Sequence, residues 1–179
     1  MELYGLMTEG GFKMRILGID PGLATVGWAV LDSTRGKLAP VAFGAITTPA
    51  HTDIEARLLM IKNDLETIIE KYSPSEMAIE ELFFNTNITT GIAVAEARGV
   101  ILCTAHAKGL KISEYTPLQV KQAVVGYGKA EKHQVIAMVT SILKLKSPPK
   151  PDDTADAVAI AICHSQCLGS AIGKYYNQR

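Results

Sequence analysis

Apolar positions along this chain follow two periods, and the switches between them mark the elements. Residues 15–20 contain the unbroken run Ile16-Leu17-Gly18-Ile19, a length that suits a buried strand, and the run stops at Asp20-Pro21-Gly22, where the backbone favours a turn. Residues 25–31 and 37–47 read as two further strands, punctuated by Gly22, Gly27 and Gly36, so the chain opens with a predicted antiparallel meander. From about residue 53 the period lengthens. Ile54, Leu58, Ile61, Leu65 and Ile68 recur at spacings of three and four, the stripe of an amphipathic helix that ends at Ser73-Pro74. A fourth strand over 77–81, a helix rich in small residues over 90–108 and a fifth strand over 111–115 follow. Strands that alternate with helices imply parallel pairing. Helices are predicted over 117–125, 130–145 and 152–168, with Gly126 and Gly128 flanking the first link and Ser147-Pro148-Pro149 breaking the second. The pattern is an α/β fold: a five-stranded mixed sheet flanked by helices.

Length and composition narrow the class. At 179 residues the chain suits one compact domain. We assign that domain residues 14–168, with 1–13 as a disordered N-terminal extension, Met14 as an alternative start and 169–179 as a flexible C-terminal tail. No uninterrupted apolar stretch approaches the ~20 residues of a membrane span. Residues 1–13 lack the basic start and apolar stretch of a secretion signal. Cys103, Cys163 and Cys167, an odd number in apolar helical surroundings, suit reduced thiols in a cytoplasmic protein. A zinc site at Cys163, His164 and Cys167 lacks a fourth ligand, so packed small residues are expected there instead. Trp28 is expected in the core, and His106 and His133 on the surface.

The formal net charge of +0 hides an uneven distribution. Lys121, Lys129, Lys132, Lys144, Lys146 and Lys150 stand against the single acid Glu131 in that stretch, while acids gather between residues 53 and 81. Taken alone, such lysines only solvate helix surfaces. Beside an acidic metal site they would suit a polyanion, whose phosphates they neutralise.

Acids at element ends are the candidate chemistry. Asp20 ends the first strand, Glu80 follows Met77-Ala78-Ile79 in the fourth, and Asp153 and Asp156 lie three apart at the start of the last helix, on one face. Each has a structural explanation: Asp20 as a turn former, Glu80 as a solvated strand end, Asp152, Asp153 or Thr154 as a helix cap. Three separate segments offering carboxylates that one fold could join favour a site for hard cations. Magnesium takes oxygen ligands and keeps waters, and two such ions could serve the attacking and departing oxygens of a phosphodiester. Spacing leaves Asp152 and Asp153 equivalent, since both share a face with Asp156.

Ile16-Leu17-Gly18-Ile19-Asp20-Pro21-Gly22 with Gly27-Trp28-Ala29-Val30, Ala78-Ile79-Glu80-Glu81-Leu82-Phe83, Val120-Lys121-Gln122-Ala123-Val124-Val125-Gly126 with Ala130-Glu131-Lys132, and the Asp153 to Ala161 string together resemble the RuvC family of Holliday junction resolvases. The likeness runs from Met14 to about Cys163. It implies an RNase H-like fold, a homodimer, and catalytic, metal-binding acids at Asp20, Glu80, Asp153 and Asp156, which selects Asp153 over Asp152. It further implies Mg2+, replaceable by Mn2+, with two ions per subunit in the substrate complex. Phe83 matches the aromatic that contacts an unstacked base near the junction centre, and Lys121 and Lys132 match the family's phosphate-contacting lysines. The implied reaction is paired, symmetric nicking of four-way DNA junctions in recombination and repair, alongside the RuvA and RuvB proteins. The helix over 90–108 is a candidate dimer contact. Two alternatives stand beside this reading: a non-catalytic junction-binding module of the same fold, and a RuvX-type RNA nuclease sharing the opening strand.

Overall fold

In the computed structural model, residues 13–82 and 88–169 are described, and they place one sheet between two helical layers. Strands β1 (Lys13–Asp20), β2 (Thr25–Thr34) and β3 (Lys37–Thr47) form the expected antiparallel meander. β4 (Glu76–Glu80) pairs parallel with β1, and β5 (Lys111–Tyr115) parallel with β4, giving the order β3-β2-β1-β4-β5. β2 runs past the expected end at Leu31 because its polar continuation finds partners. Asp32 lies opposite Arg15, whose Nε donates to it at 2.8 Å, and the Ser33 hydroxyl meets that of Ser165 at 2.8 Å in the interior.

The helices are α1 (Ile54–Tyr72), α2 (Ile88–Ala107), α3 (Pro117–Val125), α4 (Lys132–Ile142) and α5 (Asp152–Gly169). α1 stops where Ser73 takes a left-handed conformation and its N–H returns to the Ile69 carbonyl. Thr116 and Gln119 cap α3 reciprocally, with Pro117 at the first position, where its missing N–H costs nothing. α4 is shorter than the predicted 130–145. Glu131 is its N-cap, boxed with Gln134, and Lys144 lies beyond its end at φ 51.

Alternation along the strands decides which side chains face which layer. On β1, Leu17 and Ile19 join β2's Val26 and Val30 and β4's Met77 and Ile79 against α1 and α2. Ile16, Ala29, Leu31 and Ala78 face the other way, toward α3, α4 and α5. By the same period Gly18, Asp20, Gly27 and Glu80 belong to the α5 side. Trp28, expected in the core, is only half-buried on the opposite face, its ring 5.8 Å from that of Tyr72.

α5 is buried from Thr154 to Ser165 apart from Asp156, and it lies on the sheet at two glycines. A Cβ on Gly18 would stand 2.2 Å from the Ala157 carbonyl oxygen, and one on Gly27 would stand 1.9 Å from that of Asp153. The C-terminal half of α5 is tied down by a polar chain. Tyr115 Oη lies 2.7 Å from His164 Nδ1, and His164 Nε2 lies 2.7 Å from a Glu76 carboxylate oxygen. A ring carrying its proton on Nε2 satisfies both bonds, donating to Glu76 and accepting from the tyrosine. His164 is therefore part of the interior hydrogen bonding between α5, β4 and β5, and Cys163 beside it is buried. Cys103 is exposed rather than packed. His106 and His133 are on the surface as expected, His133 beside Glu131 at 3.2 Å.

Candidate active site

The four acids meet because three local choices coincide. β1 and β4 are parallel neighbours with Ile19 paired to Ile79, so the next residues, Asp20 and Glu80, leave the sheet side by side. Across the antiparallel ladder Asp20 pairs with Gly27. Because Gly27 has no side chain, the first turn of α5 settles onto it and brings Asp153 over the same end of the sheet. Asp156 follows on the same helix face. Asp152, the alternative that spacing left open, is exposed and directed to Lys132 at 3.7 Å, whereas Asp153 is half-buried and its charge acts on Asp20.

Electrostatics records the crowding. Burial, then the charges of Glu80, Asp156 and Asp153, push Asp20 up to about 8, with Lys132 opposing. Burial and the charge of Asp156 push Glu80 up to about 7 against the pull of Lys121 and Lys132. Asp156 is also raised, burial outweighing its contact with Lys132. Burial and the closeness of like charges thus disfavour the ionised forms of Asp20, Glu80 and Asp156.

Both predicted lysines flank it. Lys132, the first residue of α4, places Nζ 3.1 Å from Asp156 and is itself raised, its acidic neighbours outweighing burial. Lys121 on α3 is half-buried and close enough to act on Glu80. Phe83 lies outside the described residues.

Two arginines escaped the sequence reading. Arg98 of α2 donates Nε to the Glu80 backbone carbonyl at 3.4 Å and pairs with Glu114, fixing the end of β4. Arg57 of α1 donates Nε to Thr48 Oγ1 at 2.8 Å. Neither position carried a motif, and only the folded register brings them to this end of the sheet.

Divalent metal ions fit this donor set in chemistry and charge. All four side chains offer oxygen, the preference of Mg2+ and Ca2+, and a bound cation would favour the ionised forms that burial disfavours. Among the described residues, no group of three or more His, Cys, Asp and Glu is arranged to hold a metal as it stands. Lys132 supplies the cation at Asp156 in this state.

Comparison with known proteins places the chain in a family. The family model described as Crossover junction endodeoxyribonuclease RuvC matches residues 16–164. A protein of that name from Heliobacterium modesticaldum is 54% identical over 160 residues, covering 88% of this chain and 99% of the relative. One from Clostridioides difficile is 53% identical over 152 residues, covering 85% and 90%. Among solved structures, "T. thermophilus RuvC in complex with Holliday junction substrate" superposes with a TM-score of 0.84 at 32% identity, covering 89% of this chain and 97% of that one.

Proposed function

The chain belongs to the RuvC family of crossover junction endodeoxyribonucleases, and from that premise we propose that it resolves four-way DNA junctions by metal-dependent, paired symmetric nicking in recombination and repair. The observation that carries the reading is the gathering of Asp20 and Glu80, at the ends of the parallel neighbours β1 and β4, with Asp153 and Asp156 of α5, whose first turn packs onto Gly27. These four side chains would hold Mg2+, with Mn2+ as a substitute and two ions per subunit once substrate oxygens complete the coordination. Bound there, magnesium supplies Lewis acidity and an activated water for phosphodiester hydrolysis.

The chain's own residues do the rest. Asp20 and Glu80, carried on adjacent strand ends, form the rigid side of the site, and α5 brings the other two acids across on a helix that cannot slide. Lys132, paired with Asp156 at the edge of the site, would contact a phosphate of the substrate. Lys121 supplies a second phosphate contact from α3, and Phe83 stacks on an unpaired base at the junction centre. Such contacts orient the strand so that its scissile bond lies over the acids, a positioning role of the kind that governs rate.

A twofold dimer suits a substrate cut at two related points, and the α2 face is our candidate for its contact. Residues 14–168 act as the nuclease domain between two flanking extensions. Work alongside RuvA and RuvB and a cytoplasmic location complete the proposal. Among the described residues no helix is long and apolar enough to cross a membrane.

Cleavage of a synthetic four-way junction, a linear duplex and a structured RNA, each with Mg2+ or EDTA, tests it. The junction alone is expected to be cut, only with Mg2+, and Asp20→Asn is expected to abolish cutting while junction binding persists. RNA cleavage would favour the RuvX-type alternative. Binding without any cutting would favour the non-catalytic one.

A further inference from the structure

Beside the four acids, on the far side of the turn that follows Asp20, lies a cleft of about 530 Å³. Leu23 of that turn, Thr25 at the start of β2, Arg57 of α1, Val94 of α2 and Asp153 of α5 line it. Its volume falls within the roughly 300–1,000 Å³ of sites that enclose small ligands. Asp153 belongs to both the cleft and the acidic cluster, so the two are continuous. The walls are otherwise mostly apolar, and one guanidinium is set among them.

That guanidinium is held in place. Thr48, itself buried, donates its hydroxyl to the Leu23 carbonyl at 2.6 Å and its N–H to the Ala24 carbonyl at 3.0 Å. The same hydroxyl oxygen accepts Arg57 Nε at 2.8 Å. Arg57 is thereby fixed to the turn that begins at Asp20. Among the described residues Arg57 forms no ion pair and its two terminal amino groups have no hydrogen-bond partner, which leaves them for a ligand. An arginine anchored through one nitrogen and presenting the other two is suited to grip a phosphate in its planar fork.

We propose that this cleft is the subsite for the nucleotide next to the scissile phosphate, its sugar and base against the apolar walls and its phosphate held by Arg57. The inference rests on the reading of the chain as a junction nuclease and deepens it by naming a backbone contact on the α1 side, opposite Lys121 and Lys132. Arg57 is a positioning residue for the strand entering the acidic site. Such contacts to phosphate set register rather than sequence preference.

The test measures junction binding across a salt series in EDTA, single-turnover cleavage in Mg2+, and Tm, for the wild type, Arg57→Gln, Arg57→Lys and Thr48→Val. Losing one phosphate contact lowers the slope of log K against log salt by about 0.7 to 0.9 per subunit. Arg57→Gln is expected to lose that amount and to cut at least tenfold more slowly, while Arg57→Lys keeps the slope. Thr48→Val, which breaks the anchor but leaves the charge, is expected to lower Tm and keep the slope. An Arg57→Gln slope equal to that of the wild type, with only Tm reduced, makes the arginine a structural tie and overturns the inference, even if the wild type cuts junctions normally. A wild type that neither binds nor cuts a junction overturns the underlying reading and this inference together.

Discussion

Replacing Gly27 with alanine adds one methyl group at the point where the helix bearing two acids touches the sheet. The new Cβ would stand 1.9 Å from the Asp153 carbonyl oxygen, where ordinary contact begins at 3.4 Å. The difference, 3.4 − 1.9, means that β2 and the start of α5 must separate by about 1.5 Å. Neither can yield by a side-chain rotation, because the clash is with backbone. Overpacking of this kind costs about 1–3 kcal/mol, which in a chain of this size lowers Tm by about 2–4 °C per kcal/mol. The effect on cutting should be larger than the effect on stability. Asp153 and Asp156 move with the helix while Asp20 and Glu80 stay with their strands, and misplacing reacting groups by ~1 Å costs about 100-fold. Single-turnover cleavage of a four-way junction at saturating protein is the assay, with junction binding measured in EDTA alongside. Gly27→Ala should cut about 100-fold more slowly and bind nearly as well as the wild type. Gly36→Ala is the control: that glycine has φ 77 and open space around its missing Cβ, so its substitution strains a distant turn and leaves the rate unchanged. A Gly27→Ala protein that folds and cuts at the wild-type rate would refute the claim that this close contact sets the spacing of the acids.

Acidity offers two further checks. Asp20, pushed up to about 8 by burial and then by Glu80, Asp156 and Asp153, binds its proton more tightly folded than unfolded, where it titrates near ~3.9. Its ionisation therefore destabilises the metal-free fold, and stability from this group is full below about pH 4 and lost as pH rises toward 8. In EDTA, Asp20→Asn should raise Tm at pH 8 and narrow that advantage as pH falls toward 5, and Mg2+ should stabilise the wild type more than the variant; an equal or lower Tm at pH 8 counts against the buried charge. Glu76 behaves oppositely. The hydrogen bond from His164, outweighing burial, holds its carboxyl below the usual range, so its contribution is present above about pH 4.3 and lost as pH falls through the lower folded value. Glu76→Gln should cost roughly 1 kcal/mol at pH 7, allowing for partial solvent exposure, and should flatten the acid limb of the Tm profile; a limb parallel to the wild type excludes this role.

What the sequence disclosed depended on the range of the interaction. Five strands, their meander and their parallel continuation follow from local periodicity, and all were legible. So were the acids at strand ends, because Asp20 and Glu80 stop apolar runs abruptly. Boundaries drifted where polar residues found distant partners, as at Asp32 opposite Arg15, or where a capping box moved the start of α4 to Lys132. Spacing could not separate Asp152 from Asp153, since both share a helix face; in the fold Asp152 is exposed toward Lys132 and Asp153 is half-buried, a difference that only the packing of α5 creates. Arg57, Thr48 and Arg98 were invisible for the same reason. Their partners lie 9 to 25 residues away, at Thr48, Leu23, Glu80 and Glu114, and no local pattern announces such contacts.

α5 is enclosed by the sheet on one side and by α3 and α4 on the other. Two of the four acids thus ride on the segment least free to relax. A substitution that swells or hollows the interior tens of ångströms of chain away can reach the chemistry as a tilt of this one rod, so variants with intact surfaces and unchanged DNA contacts can still lose activity. The same rigidity limits how far Asp153 and Asp156 can draw away from Asp20 and Glu80 despite the repulsion among them.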